Sequence, residues 1–420
     1  MTVETIDTIV IGAGQAGVAM SEHLTKLDIP HIVLERNRIA ERWRSERWDS
    51  LVANGPAWHD RFPGLEYNDV DPDAFPAKER VADYFVDYAN KFNAPIRTGV
   101  TVTNVERIEK QSGFRVETSA GVIHAMRVVS ATGPFQKPII PAIAPNNDAI
   151  TQIHSTAYRN PEQFSAGSIL VVGAGSSGVQ IADELRSAGK KVYLSMGPHD
   201  RPPRAYRNRD FVWWLGVLGE WDAPAMKPGT EHVTIAVSGA NGGHTIDFRE
   251  LAHKGLTLVG RTESFENGMV SFAPDLADNL NRGDDNYRAL LDAADAYIES
   301  HGLDLPEEPE ARKVFDDPLC VSQPITSLNL AEAEISTIIW ATGFAVDYSW
   351  LNVDTLDESG KPKHQRGVSS ESGIYFVGLP WLSRRGSSFI WGVWHDAKYI
   401  ADHIATRRSY LKYQDASQRT

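Results

Sequence analysis

The sequence predicts an α/β chain of two Rossmann-like dinucleotide-binding domains, the first discontinuous and the second inserted into it. Three observations carry that expectation. A glycine turn, GAGQAG with Gly12, Gly14 and Gly17, follows the apolar run Thr8 to Ile11 and opens a stretch with helical spacing. A second turn, GAGSSG with Gly173, Gly175 and Gly178, repeats the design 161 residues later. Two strand-like runs, RVVSATG (127–133) and STIIWATGF (336–344), end on the same Ala-Thr-Gly.

Each element follows in order. VAMSEHLTKL after the first turn has apolar residues at helical spacing, and HIVLE (31–35) is a second strand, completing a β-α-β unit. Residues 97–133 read as a β-meander. After the second turn come a helix through IADELRSAG and the strand KVYLS. GIYFVGL (373–379) and the helix-like stretch after Ser387 complete the first domain, and the tail beyond Ile404 is expected to fray. The paired Ala-Thr-Gly ends suggest exits from one architecture. They give boundaries of 1–160 and 336–420 for the first domain and 161–335 for the second. Residues 201–245 and the acidic, helix-like 275–312 fit neither unit and could cover a substrate site.

Composition narrows the function. A chain of 420 residues suits two to three domain-sized units. A net charge of -13 argues against a nucleic-acid partner, which needs clustered Lys and Arg. The single cysteine, Cys320, allows neither an internal disulfide nor a Cys-x-x-Cys pair, fits a reducing cytoplasm, and reads as a small buried hydrophobe. The N-terminus lacks the marks of a secretory signal, and no run of about 18 apolar residues suggests a membrane span. Oligomeric state is open, a homodimer being one arrangement.

The glycine turns carry the chemistry. The first glycine permits the tight turn, the second lets backbone approach a pyrophosphate, and the third lets helix pack on strand. The phosphate then sits at the positive end of the helix. Glu35, ending the next strand, is placed to accept hydrogen bonds from a ribose diol. The expected lining of this first site is Gly12, Gly14, Gln15, Ala16, Gly17, Glu35, Arg36, Val102, Thr132 and Gly133. The second site takes Gly173, Gly175, Ser176, Ser177 and Gly178. Counting the same 23 residues from Gly173 reaches Met196, not an acid, and Arg201, Arg204, Arg207 and Arg209 follow. That favours a 2′-phosphate, hence NADPH, read by Arg204 first and Arg201 second. The alternative is that these arginines are solvated or paired with Asp200 and Asp210.

ERWRSERWDSLVANGP (41–56), the Ala-Thr-Gly turns, QIHSTAYRNP, DRPPRAYRNRD and GIYFVGLPWLSRRGSSFIWGVWHDAKYIADHI together resemble the flavin-containing monooxygenases. The likeness is greatest to the single-component bacterial and plant branch that includes the auxin-forming YUCCA enzymes, and it covers nearly the whole chain. It implies FAD in the first domain, NADPH in the second, and a flavin 4a-hydroperoxide that passes one oxygen atom to a small substrate. The substrate would be an aromatic or heteroaromatic molecule, a keto acid, an amine or a sulfide. The resemblance places Trp43 and Arg44 beside the flavin and makes Asn54 the residue that holds the oxygenated flavin; otherwise Asn54 is a turn residue before Gly55. Departures exist. His154 and Tyr158 match the family's identifying sequence, but Asp148 and Ile150 replace its Phe and Gly. Tyr158 stands where Baeyer–Villiger enzymes have Trp, and Gly378-Leu379 replaces the Gly-Asp of related reductases. His154 reads as a structural linker. Trp213, Trp214, Trp391 and Trp394 read as core before pocket walls. A reductase passing electrons to an iron-sulfur protein is the rival reading.

Overall fold

The computed structural model describes residues 3–224 and 234–417. Along the chain it forms β1 (Glu4–Ile11), α1 (Gln15–Lys26), β2 (His31–Glu35), α2 (Lys78–Lys91), β3 (Ile96–Thr98), β4 (Val102–Arg107), β5 (Phe114–Thr118) and β6 (Gly121–Ser130). There follow β7 (Thr151–His154), β8 (Ser168–Val172), α3 (Ser176–Ser187), β9 (Val192–Ser195), β10 (Thr257–Val259), α4 (Leu276–His301), β11 (Ile335–Trp340), β12 (Ile374–Phe376) and α5 (Ile390–Ser417).

Two sheets organise these elements. In the first, β3, β2, β1, β6 and β12 run side by side in parallel. The lower half of β6 turns back through β5 and β4 as the expected antiparallel meander. In the second, β10, β9, β8, β11 and β7 are all parallel. Ile9 and Val10 in β1 and Leu170 and Val171 in β8 are wholly buried, as strands covered on both faces require. The first unit is therefore discontinuous, completed by β12 and by α5, which packs on α1.

The sheet pairing corrects the boundaries. Strand β11 lies between β8 and β7 in the second sheet, so residues 151–154 and 336–340 belong to the second unit. The two Ala-Thr-Gly ends are not paired exits from one unit; each lies beside its own glycine turn. The N–H of Ala131 donates to Ile11 and that of Ala341 to Val172, 2.9 and 2.8 Å away. The tail and the acidic stretch are both helical, the second as its sequence suggested. The tail is the end of a 28-residue helix as far as Ser417. The acidic stretch 275–312 contains the 26-residue α4, whose Tyr287, Leu291 and Ala294 pack on Tyr206 and Trp214. Part of 201–245, namely 225–233, lies outside the described residues.

Buried histidines make stability depend on pH. Burial pushes the imidazoles of His23 and His199 down to about 4. In the unfolded chain they take up a proton below the ordinary value of 6.5. Their neutral burial therefore stabilises the fold above pH 6.5, and that contribution is lost as pH falls towards 4. The melting temperature is expected to drop through this window; a flat profile there would contradict the burial of both rings.

Candidate active site and cofactor cradles

Backbone geometry builds the first cradle. Gly12 turns the chain at φ +102°, and a Cβ there would meet the Ala131 carbonyl oxygen at 2.8 Å. A Cβ on Gly17 would sit 1.8 Å from the Gly12 oxygen, so only glycine lets α1 lie this close to β1. At Gly14, the residue before α1, an added Cβ meets no atom within 4 Å. That open space faces the unpaired N–H groups of a helix N-terminus, which suits a pyrophosphate. Glu35 ends β2 with one carboxylate oxygen accepting the Ala13 N–H and the other the Asn37 N–H, both at 2.8 Å. Each oxygen keeps a lone pair for a ribose hydroxyl.

The other expected residues gather around this edge. Gln15 donates to the Ser388 carbonyl at 2.7 Å, tying the turn to the start of α5. Ala16 is buried in α1, and Arg36 is exposed just beyond Glu35. The Val100 N–H bonds the Glu35 carbonyl at 2.9 Å, which brings the half-buried Val102 alongside. Thr132 and Gly133 both accept from the Gln136 amide, at 2.9 and 2.7 Å. Ala40 donates to the Ala13 carbonyl at 3.1 Å and starts the short helix Glu41–Ser45. On that helix Trp43 packs against the cores of both units, while Arg44 bonds Asp83 at 2.7 Å.

The second cradle repeats the first. Gly173 turns at φ +103° with the Ala341 carbonyl oxygen 2.5 Å from a built Cβ, and a Cβ on Gly178 would lie 1.8 Å from the Gly173 oxygen. Gly175 precedes α3 in extended conformation, and Ser177 is exposed in its first turn. The Ser176 hydroxyl donates to Ile235 at 2.8 Å. Met196, at the position of the acid, is fully buried.

The arginines chosen to read a phosphate are committed elsewhere. Arg201 is 3% exposed; its Nε and Nη2 bond Asp284 at 2.9 and 2.5 Å, and its guanidinium covers Tyr287. Arg204 is 6% exposed and grips Asp210 through one nitrogen at 2.5 and 2.6 Å. Its guanidinium lies between Phe75 and Phe211, 4.7 and 4.4 Å from the ring centres. The pairing alternative with Asp210 is what the structure contains. A buried guanidinium already neutralised by carboxylate leaves little for a 2′-phosphate, so the phosphate assignment of both residues gives way.

Arg204 instead serves the junction of the two units. Its Nη1 donates to the Asn54 carbonyl at 2.7 Å. The Asn54 side-chain oxygen accepts from Gln180 on α3 at 3.0 Å, and Gln180 also donates to Val237 at 2.6 Å. Asn54 is thus gripped by backbone and by side chain. Its amide oxygen is taken, and among the described residues no acceptor uses its Nδ2. The segment before 225–233 closes over the same junction. Glu220 pairs with Arg385 at 2.9 Å, Asp222 with Arg384, and Pro224 bridges Arg384.

Sequence reasoning missed three residues here. His59 and Asp60 follow Asn54 on the same loop, bonded Nδ1 to Oδ1 at 2.8 Å, and the adjacent His-Asp pair was a legible signal. Gln180 had none. Trp391 faces this loop, whereas Trp214 is wholly buried, its indole N–H on Tyr206, and Trp394 bonds Glu22. His154 joins the linker to Gly343 at 3.0 Å, in keeping with a structural role. Cys320 is half-buried rather than buried, and burial pushes its thiol up.

Comparison with known proteins agrees with this plan. A family profile described as pyridine nucleotide-disulphide oxidoreductase matches residues 9–214. A CzcO-like oxidoreductase of Geobacillus kaustophilus is 36% identical over 404 residues, 95% of this chain and 98% of that protein. A probable indole-3-pyruvate monooxygenase, YUCCA1 of Arabidopsis thaliana, is 32% identical over 183 residues, 42% of this chain and 44% of that one. The fold is that of a flavin-containing monooxygenase from Stenotrophomonas maltophilia, with TM-score 0.67 and 18% identity across 96% of this chain and 99% of that chain. No helix among the described residues is long and apolar enough to cross a membrane. With two glycine cradles and relatives at 36% and 31% identity over 95% of its length, the chain belongs to the CzcO-like oxidoreductase family.

Proposed function

We propose that this chain transfers one oxygen atom from O2 to a small organic substrate at the junction of its two units, releasing the other as water. NADPH supplies two electrons, so that substrate, NADPH, O2 and a proton become oxygenated product, NADP+ and water. When bound, the cofactors carry the electron transfer and the activation of O2. The protein's part is to hold and orient them and keep the site dry. Gly12, Gly14, Gln15, Ala16 and Gly17 would hold the FAD pyrophosphate at the start of α1, with Glu35 on the ribose and Arg36, Trp43, Arg44, Val102, Thr132 and Gly133 around it. Gly173, Gly175, Ser176, Ser177 and Gly178 would hold NADPH at the start of α3. The substrate classes in view are aromatic or heteroaromatic molecules, keto acids, amines and sulfides.

One observation carries the oxygenase reading: Gln180 occupies the Asn54 side-chain oxygen and leaves its N–H2 to donate. A donor aimed where negative charge develops on oxygen is the protein contribution such chemistry needs. Isotope labelling tests the reading. Purified enzyme with NADPH and 18O2 should place one labelled atom in a product from a panel of these substrates. NADPH oxidation that yields only H2O2, or passes to an iron-sulfur protein without labelled product, would overturn it. Asn54→Ala should divert reducing equivalents to H2O2 severalfold while FAD content stays constant. One lost hydrogen bond in a dry site is worth about 1–3 kcal/mol. An unchanged H2O2 fraction would return Asn54 to a turn residue.

A further inference from the structure

The loop after Asn54 holds an imidazole that nothing above uses. His59 is 6% exposed. Its Nδ1 bonds Asp60 Oδ1 at 2.8 Å, and Asp60 is held in turn by the Gly55 N–H on its other oxygen at 3.1 Å. That chain of bonds assigns the ring proton to Nδ1. In its neutral form the ring then presents a lone pair on Nε2, and Nε2 is buried with no partner among the described residues.

The walls around it are aromatic. The His59 ring stacks with Trp221, 5.2 Å between centres at 27°, and with Trp391, 6.1 Å at 24°. Trp58 meets it edge-on at 5.4 Å. These indoles come from the Asn54 loop, the covering segment and the first turn of α5. Trp221 spends its N–H on the Val212 carbonyl at 3.1 Å, so it offers the site only its face. Phe389, 43% exposed, meets Trp221 edge-on at 5.2 Å. A buried acceptor left unpaired is destabilising, and an unpaired group in a native structure calls for a partner.

We propose that His59 determines specificity: its Nε2 accepts a hydrogen bond from the N–H or O–H of a planar aromatic substrate lying among Trp58, Trp221 and Trp391. That this ligand is the substrate rests on the oxygenase reading; the binding site stands without it. Asp60 fixes the tautomer, and the tryptophans select flat apolar bodies. Aliphatic amines and sulfides are excluded from good binding, as are aromatics without a donor.

Indole and benzofuran test this, since they share shape and differ in the N–H. Their dissociation constants are measured by equilibrium dialysis on the FAD-loaded enzyme with NADP+. Indole should bind on the order of tenfold more tightly or better. His59→Ala should abolish that ratio at unchanged FAD content, and His59→Gln, whose amide oxygen also accepts, should restore part of it. Trp221→Leu should weaken both compounds while the ratio survives. A ratio near one in the parent, a ratio His59→Ala leaves intact, or no binding of either compound overturns the proposal. If indole is preferred through His59 but no substrate takes up 18O, the oxygenase reading fails alone. If 18O enters some other substrate while the indole preference is missing, the His59 assignment fails alone.

Discussion

Gly14→Val is expected to give a folded, colourless protein. The residue sits at φ -78° and ψ -169°, a conformation open to valine, and its Cβ would meet no protein atom within 4 Å. Nothing in the chain itself resists the side chain. What it fills is the space at the α1 N-terminus, where a pyrophosphate must reach the backbone N–H groups. Losing two such charge-assisted hydrogen bonds at about 1.5–3 kcal/mol each weakens FAD binding on the order of a hundredfold to ten-thousandfold. FAD per chain should fall from about one towards zero while the far-ultraviolet circular dichroism is retained. Gly17→Val is the contrast. Its Cβ would lie 1.8 Å from the Gly12 carbonyl oxygen, so that variant should lose the fold along with the colour. A yellow Gly14→Val with full flavin content would remove the first cradle from the account.

The glycine turns were legible because they are local: strand, turn and helix lie within one short stretch, and the third glycine of each answers the carbonyl of the first. Sheet membership was not. The same Ala-Thr-Gly ends β6 and β11, since each unit needs a narrow neighbour beside its own first glycine. Matching ends therefore report two copies of one design, not two exits from one copy. The arginines failed for a different reason. Chain proximity to the second turn is visible in sequence, whereas Asp284, the partner of Arg201, lies 83 residues away. The setting of His59 is more remote still, because Trp221 and Trp391 arrive from two later segments. Residue types can be read from one sequence, but a site assembled from separate segments needs the fold.

Arg204→Ala separates the sequence expectation from the structure. If Arg204 read the 2′-phosphate, the variant would lose NADPH selectivity and keep its stability. The geometry leads to the opposite result. Burial pulls the Arg204 pKa down and pushes the Asp210 carboxyl up, so each partner resists being charged in the interior and is held there by the other. Removing the guanidinium leaves Asp210 buried and unpaired, which costs about 3–5 kcal/mol. It also removes the 2.7 Å bond to the Asn54 carbonyl and the filler between Phe75 and Phe211. The expected variant melts well below the parent, releases more H2O2 because the Asn54 loop is loosened, and keeps the parent's ratio of NADPH to NADH efficiency. Arg204→Ala, Asp210→Ala should recover part of the lost stability, since no unpaired carboxylate remains. The measurements are thermal melts of both variants and kcat/KM for each coenzyme. A stable Arg204→Ala with tenfold lower selectivity for NADPH would restore the phosphate role and leave the ion pair as packing alone.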